Sequence, residues 1–341
     1  MSGLGFRLER QARLDLKDYP VDACWSADER ALAVACGQGA VLCFDVPAAT
    51  SRSLGEHPGG ALAVGWRPGS AQFASSGQDG EVRLWDARTG AAKPIHSATQ
   101  WSEQLAFSGN GKHLAVATGR ELRIFDVEGR LQAQPPAQQG VIAALSWRPK
   151  ASEVAALGNG GARVHRLGPE LVSREYAWAG ACLTASWSPD GRLLASGMQD
   201  GSVHYWNIAA GSQSQMRGYG SKVNLTSWSA NNRYLATSAD SQIIVWEFAG
   251  AGPEGSEPLQ LSSHTARVTQ LAFQPRGLLL AAGARDHRLT LWRVTQPQQP
   301  IDADLLSDEV AVLRWSGSGE RLAAIDSAGV LSLYVLRHAK T

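Results

Sequence analysis

Residues 61–87 read ALAVGWRPGSAQFASSGQDGEVRLWDA, and residues 183–208 read LTASWSPDGRLLASGMQDGSVHYWNI. Both stretches consist of a small-apolar run that ends in Trp, a turn, an Ala-rich run, a second turn and a strand that ends in an aromatic residue. Eight such units follow one another, about 40 to 45 residues apart, and their first aromatic anchors are Trp25, Trp66, Phe107, Trp147, Trp187, Trp228, Phe273 and Trp315. Because eight units lie in register, the repeat decides the fold.

Each unit contains three short strands and a more polar stretch that supplies a fourth. In the second unit, ALAVGW at 61–66 alternates, QFASSG at 72–77 and EVRLWD at 81–86 are joined by a tight turn, and KPIHSA at 93–98 is the outer strand. No helical periodicity occurs, so the predicted fold class is all-β. The interval is that of propeller blades. We therefore predict an eight-bladed β-propeller with four antiparallel strands per blade, as a single domain over residues 1–341.

The two ends of the chain predict how the ring closes. The last unit stops after its third strand, in LSLYVLRHAKT at 331–341, whereas FRLERQARLDL at 6–16 precedes the first unit and has no blade of its own. We predict that residues 6–16 pair with the strand around Leu331–Val335 and complete blade 8, since an open ring would leave unpaired strand edges. Seven blades are the alternative if the fourth unit, which ends in His165-Arg166, fails as a blade.

The units resemble WD40 repeats over nearly the whole chain. The Trp-Asp pair of that family occurs at Trp85-Asp86, and related aromatic endings close other units. The Asp-Gly turn that precedes this strand is present at Asp79-Gly80 and at Asp200-Gly201. The resemblance implies a WD40-type propeller, and propellers of this type mostly bind proteins or peptides on the narrow face around the central channel.

Composition and charge exclude several classes of protein. Apolar residues make up 44% of the chain and charged residues 18%, which indicates a globular protein. The 32 basic and 31 acidic residues give a net charge of +1, so we expect neither nucleic-acid binding nor attraction to an anionic membrane. No apolar run approaches the roughly 20 residues that span a bilayer, and four cysteines do not form a disulfide framework. We expect a cytoplasmic protein without membrane insertion, either a monomeric ring or a subunit of a larger complex.

One unit contains His57, Ser75, Asp79 and Trp85, which invite two interpretations. Ser, His and Asp could form a nucleophilic triad. The resemblance to WD40 repeats instead implies a structural hydrogen-bond chain that satisfies buried polar groups and fixes blade packing. The sequence lacks the nucleophile elbow, the HExxH zinc motif and the glycine-rich phosphate loops. We therefore expect no catalytic residue, no metal site and no cofactor.

The resemblance also predicts which residues face a partner. In WD40 repeats the residues six and four positions before the first anchor, and the residue before the turn Asp, point at the partner. These positions give Tyr19, Leu62, Gln78, Trp101, Glu103, Val141, Leu183, Gln199, Lys222, Asn224, Arg267 and Arg285. We name two groups among them. The apolar arc contains Tyr19, Leu62, Trp101, Val141 and Leu183. The basic arc contains Lys222, Asn224, Arg267 and Arg285.

The leading hypothesis is a non-enzymatic scaffold that binds a protein or peptide with a hydrophobic anchor and acidic residues. In the alternative for the arcs, Tyr19 and Trp101 plug the channel or pack between blades, and the basic arc is only a solvated rim. A second class of function is an enzyme with a site in the channel mouth, where the mapped positions supply only Glu103 and Glu309 as acids. A third is the binding of an anionic ligand or nucleic acid by the basic arc of blades 6 and 7.

Overall fold

The chain folds into eight short antiparallel sheets, one for each unit of the repeat. The computed structural model describes residues 5–250 and 252–339, and the remaining residues of the predicted domain 1–341 lie outside the described residues. The first strand, β1 (Gly5–Asp15), precedes the first unit.

The strands follow the units of the sequence in order. Blade 1 contains β2 (Pro20–Trp25), β3 (Ala31–Cys36), β4 (Ala40–Asp45) and β5 (Thr50–Glu56). Blade 2 contains β6 (Ala61–Trp66), β7 (Gln72–Gly77), β8 (Val82–Asp86) and β9 (Ala92–His96). Blade 3 contains β10 (Ser102–Phe107), β11 (His113–Thr118), β12 (Glu121–Asp126) and β13 (Leu131–Ala133). Blade 4 contains β14 (Ile142–Trp147), β15 (Glu153–Arg166) and β16 (Val172–Ala181).

The second half of the ring has the same order. Blade 5 contains β17 (Ser186–Trp187), β18 (Leu193–Gly197), β19 (Val203–Asn207) and β20 (Ser212–Met216). Blade 6 contains β21 (Leu225–Trp228), β22 (Tyr234–Ser238), β23 (Ile243–Glu247) and β24 (Leu259–Leu261). Blade 7 contains β25 (Val268–Phe273), β26 (Leu279–Ala284), β27 (Arg288–Arg293) and β28 (Asp302–Leu305). Blade 8 contains β29 (Val310–Trp315), β30 (Arg321–Asp326), β31 (Val330–Ala339) and β1. This architecture confirms the predicted all-β, eight-bladed propeller.

Blade 4 is complete, although its second and third strands run together as β15. The first half of β15 pairs with β14, and the second half pairs with β16. The N–H of Leu167 donates to the carbonyl of Ser152 at 2.8 Å, so the chain reverses direction between these residues. The reversal occurs at Gly160 and Gly161, whose φ angles of 94° and 115° favour glycine. The fourth unit is therefore a blade, and the seven-bladed alternative is wrong.

The hydrophobic core lies between neighbouring blades. The second strands are buried on both faces along almost their whole length, as in β3, because each sheet is covered by a blade on either side. Between blades 1 and 2, Val41 of one sheet packs in one cluster with Val64, Trp66 and Phe73 of the next. The innermost strands contact each other all the way around, including β2 with β29.

The tryptophan anchors also join neighbouring blades by hydrogen bonds. The indole N–H of Trp147 donates to the carbonyl of Ala106 in blade 3 at 2.8 Å, and that of Trp315 donates to Ala272 in blade 7 at 2.9 Å. The anchors Trp25, Trp187 and Trp228 make the same bond to the preceding blade. Trp66 differs, because its N–H donates to Ser70 in its own turn at 2.9 Å. The tryptophan anchors thus satisfy their indole N–H and, at five blade boundaries, link two neighbouring blades.

The ring is closed by both ends of the chain in one sheet. β1 pairs with β31 from Gly5–Ala339 to Asp15–Val330, which confirms the predicted pairing of residues 6–16 with the strand around Leu331–Val335. The carboxylate of Asp304, in blade 7, accepts bonds from Arg10 at 2.6 Å and from the Tyr334 hydroxyl at 2.8 Å. One carboxylate therefore ties β1, β31 and the outer strand of blade 7 together.

The pKa of the Asp304 carboxyl reflects its hydrogen bonds from Arg10 and Tyr334. Burial raises the pKa of the carboxyl, but the bonds from Tyr334 and Arg10 outweigh burial and leave the pKa below its usual range. The stability gained from this carboxylate is present at neutral pH and is lost as the pH falls through the lowered pKa of the folded state.

We predict that Asp304→Asn lowers the free energy of unfolding by about 1–2 kcal/mol at pH 7, since it weakens two hydrogen bonds to a charged group that is one third exposed. The difference from the native chain should shrink in acid. Glu9→Gln is the control, because Glu9 pairs with Arg337 on the solvent side of the same seam and should cost less than about 0.5 kcal/mol. Equal urea midpoints for the two variants would contradict the role of Asp304.

Candidate functional site

The narrow face is formed by the loops that lead into each first strand and by the turns between the second and third strands. Three residues of the apolar arc protrude there: Tyr19 is 50% exposed, Trp101 51% and Val141 53%. Leu62 and Leu183 are half-buried. A fourth exposed apolar residue, Val21, lies beside Tyr19 in blade 1. Large apolar side chains on blades 1, 3 and 4 thus share one face without being buried.

Tyr19 is held in place by a glycine. A Cβ on Gly37 would lie 1.8 Å from Cε2 of Tyr19, so the ring packs directly over the Gly37 backbone. The N–H of Gly37 donates to the carbonyl of Tyr19 at 2.9 Å. The ring therefore lies over the turn of its own blade and leaves half of its surface exposed.

The positive charge of the basic arc is smaller than its residue types predict, because one of its cations is paired with an acid. Arg285 forms an ion pair with Glu309 of blade 8 at 3.1 Å, and Arg267 donates to the amide oxygen of Asn224 at 3.2 Å. Lys222 and Asn224 are exposed. The structure thus brings the blade 6 and blade 7 residues together, but it pairs one of the three cations with an acid.

The remaining predicted positions fall into two groups. Glu103 and Gln199 are exposed, whereas Gln78 is half-buried against the backbone of Gly59 and Gly60. The repeat pattern does not predict a second ion pair, in which Arg314 of blade 8 contacts Asp22 of blade 1 at 2.8 Å. The two residues are neighbours only because the ring closes.

One hydrogen-bond chain joins the three residues of the suspected triad, His57, Ser75 and Asp79, to Trp85. His57 Nδ1 lies 2.9 Å from Asp79 Oδ1, and His57 Nε2 lies 2.7 Å from Ser75 Oγ. The indole N–H of Trp85 donates to Ser75 Oγ at 2.7 Å. Since a carboxylate only accepts, Nδ1 carries the proton and Nε2 accepts from the Ser75 hydroxyl. Every polar atom of this buried chain has a partner.

The geometry of His57, Ser75 and Asp79 resembles a catalytic triad, but a substrate has no access to the serine. His57 and Ser75 are both 0% exposed. Burial lowers the pKa of His57, although the hydrogen bond to Asp79 opposes this effect. The serine oxygen is occupied on both sides, by imidazole and by indole. A nucleophile must reach its substrate, so this arrangement fits packing rather than catalysis.

In other blades, different residues accept the hydrogen bond from the indole N–H of the equivalent tryptophan. In blade 7, Thr290 contacts His264 Nε2 at 3.0 Å and accepts from Trp292 at 3.0 Å. Thr290 is the cross-strand partner of Ala282, so the hydroxyl has moved to the neighbouring strand. In blade 6, the hydroxyl of Tyr219 accepts directly from the indole of Trp246 at 2.7 Å. The repeat pattern predicts neither solution, because Thr290 lies on the strand opposite the expected serine position and a tyrosine replaces the histidine in blade 6.

Within the described residues, no group of three or more His, Cys, Asp or Glu side chains is arranged to hold a metal ion. The cysteines are free thiols, and burial raises the pKa of Cys36 to about 12 and that of Cys24 to about 11. The part of the chain that the structure describes contains no helix long and apolar enough to cross a membrane.

Comparisons with known proteins agree with the repeat. The family model of the WD domain, G-beta repeat (WD40), matches residues 49–86, 176–207, 212–247 and 255–293. The chain is 30% identical to the B-type cell cycle switch protein ccs52A of Medicago truncatula over 254 residues, which are 68% of this chain and 50% of the relative.

Two further relatives have related names. Cell division cycle 20.4, cofactor of APC complex, of Arabidopsis thaliana is 26% identical over 77% of this chain and 63% of its own length. The WD repeat-containing protein slp1 of Schizosaccharomyces pombe is 24% identical over 83% of this chain and 51% of its own length. The chain thus spans about half to two thirds of the length of the curated relatives that it matches.

Adjacent serines allow a matched test of the hydrogen-bond chain. We predict that Ser75→Ala lowers the free energy of unfolding by about 1–3 kcal/mol, because it leaves Nε2 of His57 and the indole N–H of Trp85 buried without a partner. The control is Ser76→Ala, since the hydroxyl of Ser76 is equally buried but has no hydrogen-bond partner. Urea unfolding should show Ser76→Ala close to native stability or above it. A larger loss at Ser76 than at Ser75 would refute the structural role.

Proposed function

We propose that this chain, which belongs to the WD40-repeat proteins, is a non-enzymatic scaffold that binds a protein or peptide partner on its narrow face. The observation that carries the proposal is the exposure of Tyr19, Trp101 and Val141 on one face of a closed ring. Tyr and Trp are enriched among the residues that dominate interface energetics, where truncation commonly costs about 2 kcal/mol or more.

The structure supports a preorganised site. The ring of Tyr19 is fixed over Gly37, and the loops that present the apolar arc are anchored to strands that are hydrogen-bonded into sheets. A side chain that is already fixed loses little conformational entropy on binding, so more of the contact energy appears as affinity. This argues for a partner that inserts an apolar group between exposed aromatic residues.

The charged residues of the basic arc bear on the chemistry of the partner. Lys222 is exposed, and Arg267 contacts the neutral Asn224, whereas Arg285 is paired with Glu309. Two cations are therefore left for a partner rather than three. We propose a peptide or loop with one hydrophobic anchor and a few acidic residues. A strongly anionic ligand such as nucleic acid is the weaker alternative.

An enzymatic function has less support. Of the acids at the channel mouth, Glu309 is paired with Arg285, and Glu103 lies on the rim. In the His57–Ser75–Asp79 chain, the imidazole of His57 and the hydroxyl of Ser75 are 0% exposed. A site for catalysis would need reactive groups that converge in a cleft.

The relatives extend the proposal. One of them is named a cofactor of the APC complex. We propose that this chain likewise acts as a subunit of a larger protein assembly, with the narrow face turned to one partner. Free, buried thiols fit a reducing compartment, and we propose the cytoplasm.

The test compares two exposed side chains of blade 3. We predict that Trp101→Ala weakens capture of the native partner at least about tenfold, and that adding Arg267→Glu weakens it further. Leu131→Ala is the control, since Leu131 is also 51% exposed but lies on the outer strand β13. The partner is identified by affinity purification from the native cell and its dissociation constant is measured with each variant. Unchanged affinity of the folded double variant would remove the narrow face from the proposal.

A further inference from the structure

Blade 3 lacks the hydrogen-bond chain of blade 2, and strand register shows what replaces it. Ser75 is opposite Arg83 in blade 2, and the residue opposite the corresponding Arg123 in blade 3 is Val116. The position of Trp85 is taken by Phe125. The hydroxyl and the indole of the chain are therefore both absent from blade 3.

The histidine and the aspartate are lost as well. The N–H of His57 donates to the carbonyl of Gly39, and the same bond in the next blade runs from Ala98 to Gly80, so Ala98 takes the place of His57. The turn of blade 3 has only Gly119 and Arg120 between the paired Thr118 and Glu121, whereas the turn of blade 2 has residues 78–80 between Gly77 and Glu81, whose backbones are hydrogen-bonded. Asp79 consequently has no counterpart in blade 3.

A polar cavity of about 360 Å³ is lined by Ala98, at the position equivalent to His57, and by Arg123, at the position equivalent to Arg83. Its lining includes Ala98, Thr99, Gln100, Thr118, Arg120 and Arg123. It opens between the loop that leads into blade 3 and the turn of blade 3, and both belong to the narrow face. Gln100 of its wall directly precedes the exposed Trp101.

The arginine of the lost chain is retained. In blade 2, Arg83 holds two carboxylates at once, Glu81 at 2.8 Å and Asp79 at 3.5 Å. In blade 3, Arg123 is paired with Glu121, the counterpart of Glu81, and no second acid is near it. Blade 2 thus shows that an arginine at this position accommodates one more carboxylate.

The cavity wall also contains the imidazole of His96 and the guanidinium of Arg120. Arg123 lies 3.5 Å from Nε2 of His96, and since a guanidinium only donates, this nitrogen accepts. Burial, followed by the charge of Arg123, lowers the pKa of His96, so the ring is neutral at pH 7. Arg120 is exposed at the mouth, and its side chain has no hydrogen bond or ion pair among the described residues.

We propose that this cavity binds the side-chain carboxylate of an Asp or Glu of the partner, which takes the position that Asp79 occupies beside Arg83. Arg123 and Arg120 bind the carboxylate from the floor and from the mouth. Trp101 contacts the apolar residue next to it. This inference rests on the proposed function insofar as the narrow-face partner supplies the carboxylate.

The experiment tests the cavity without the partner. N-acetyl-L-aspartate α-amide, whose only carboxylate is the side chain, is titrated into the full-length protein, and the ring signals of His96 and the indole N–H of Trp101 are followed by NMR. We expect saturable shifts at both residues with millimolar affinity, and none with the neutral asparagine analogue. Inorganic phosphate is titrated in parallel. Binding of phosphate without binding of the carboxylate would overturn the assignment.

Two variants and a control locate the site. Arg123→Gln should weaken binding at least about tenfold, because it removes the charged donor. Ala98→Leu should abolish binding by filling the cavity, and the fold should tolerate it because Leu306 holds the equivalent position in blade 8, where its N–H donates to His287. Arg88→Gln is the control, since Arg88 is exposed on another turn of the ring and its loss should leave the shifts unchanged.

The outcomes separate this site from the proposed function. No saturable shift in the native protein, or unchanged binding in Ala98→Leu, refutes the carboxylate site even if Trp101→Ala still weakens partner capture. Saturable binding that both variants remove supports the site whichever way the partner experiment turns out.

Discussion

The pairing of β1 with β31 is the constraint on which the other features depend. It places both ends of the chain in blade 8 and turns a row of sheets into a closed ring. Asp304 reinforces it by binding Arg10 and Tyr334 across the boundary with blade 7. In a closed ring each blade is covered by a neighbouring blade on both faces, and the loops are held at fixed separations. The exposed aromatic residues of blades 1 and 3 are therefore presented in one fixed arrangement.

The blades share one packing problem and solve it with different residues. Each buried indole N–H needs an acceptor, which is a serine in blade 2, a tyrosine in blade 6 and a threonine in blade 7. Blade 5 leaves the problem unsolved, since Trp206 Nε1 has no partner and Trp178 stacks on His204 at 3.8 Å between ring centres. Blade 3 removes the indole and is left with a polar cavity. A blade that departs from the repeat therefore has features that the other blades lack.

The period and the aromatic anchors were sufficient to predict the blade number, the strands and the closure, because these depend on local pattern and on the need to pair edges. That Tyr19 and Trp101 face a partner on the narrow face stays a prediction from their distance to the anchor. The pairing of Arg285 with Glu309 was not predictable, since it depends on the distance between the loops of two blades. The same holds for Thr290, which acts across a strand pair, and for the cavity of blade 3, which results from a turn one residue shorter.

We propose that a protein partner contacts the narrow face of blades 1 to 4. Site-specific photo-crosslinking in the native cell tests it most directly, with the reactive residue placed at Val141 on that face or at Leu305, which is 66% exposed on the outer strand of blade 7. We expect one protein to be crosslinked from position 141 and not from position 305. Crosslinks to a partner from position 305 alone would contradict the claim.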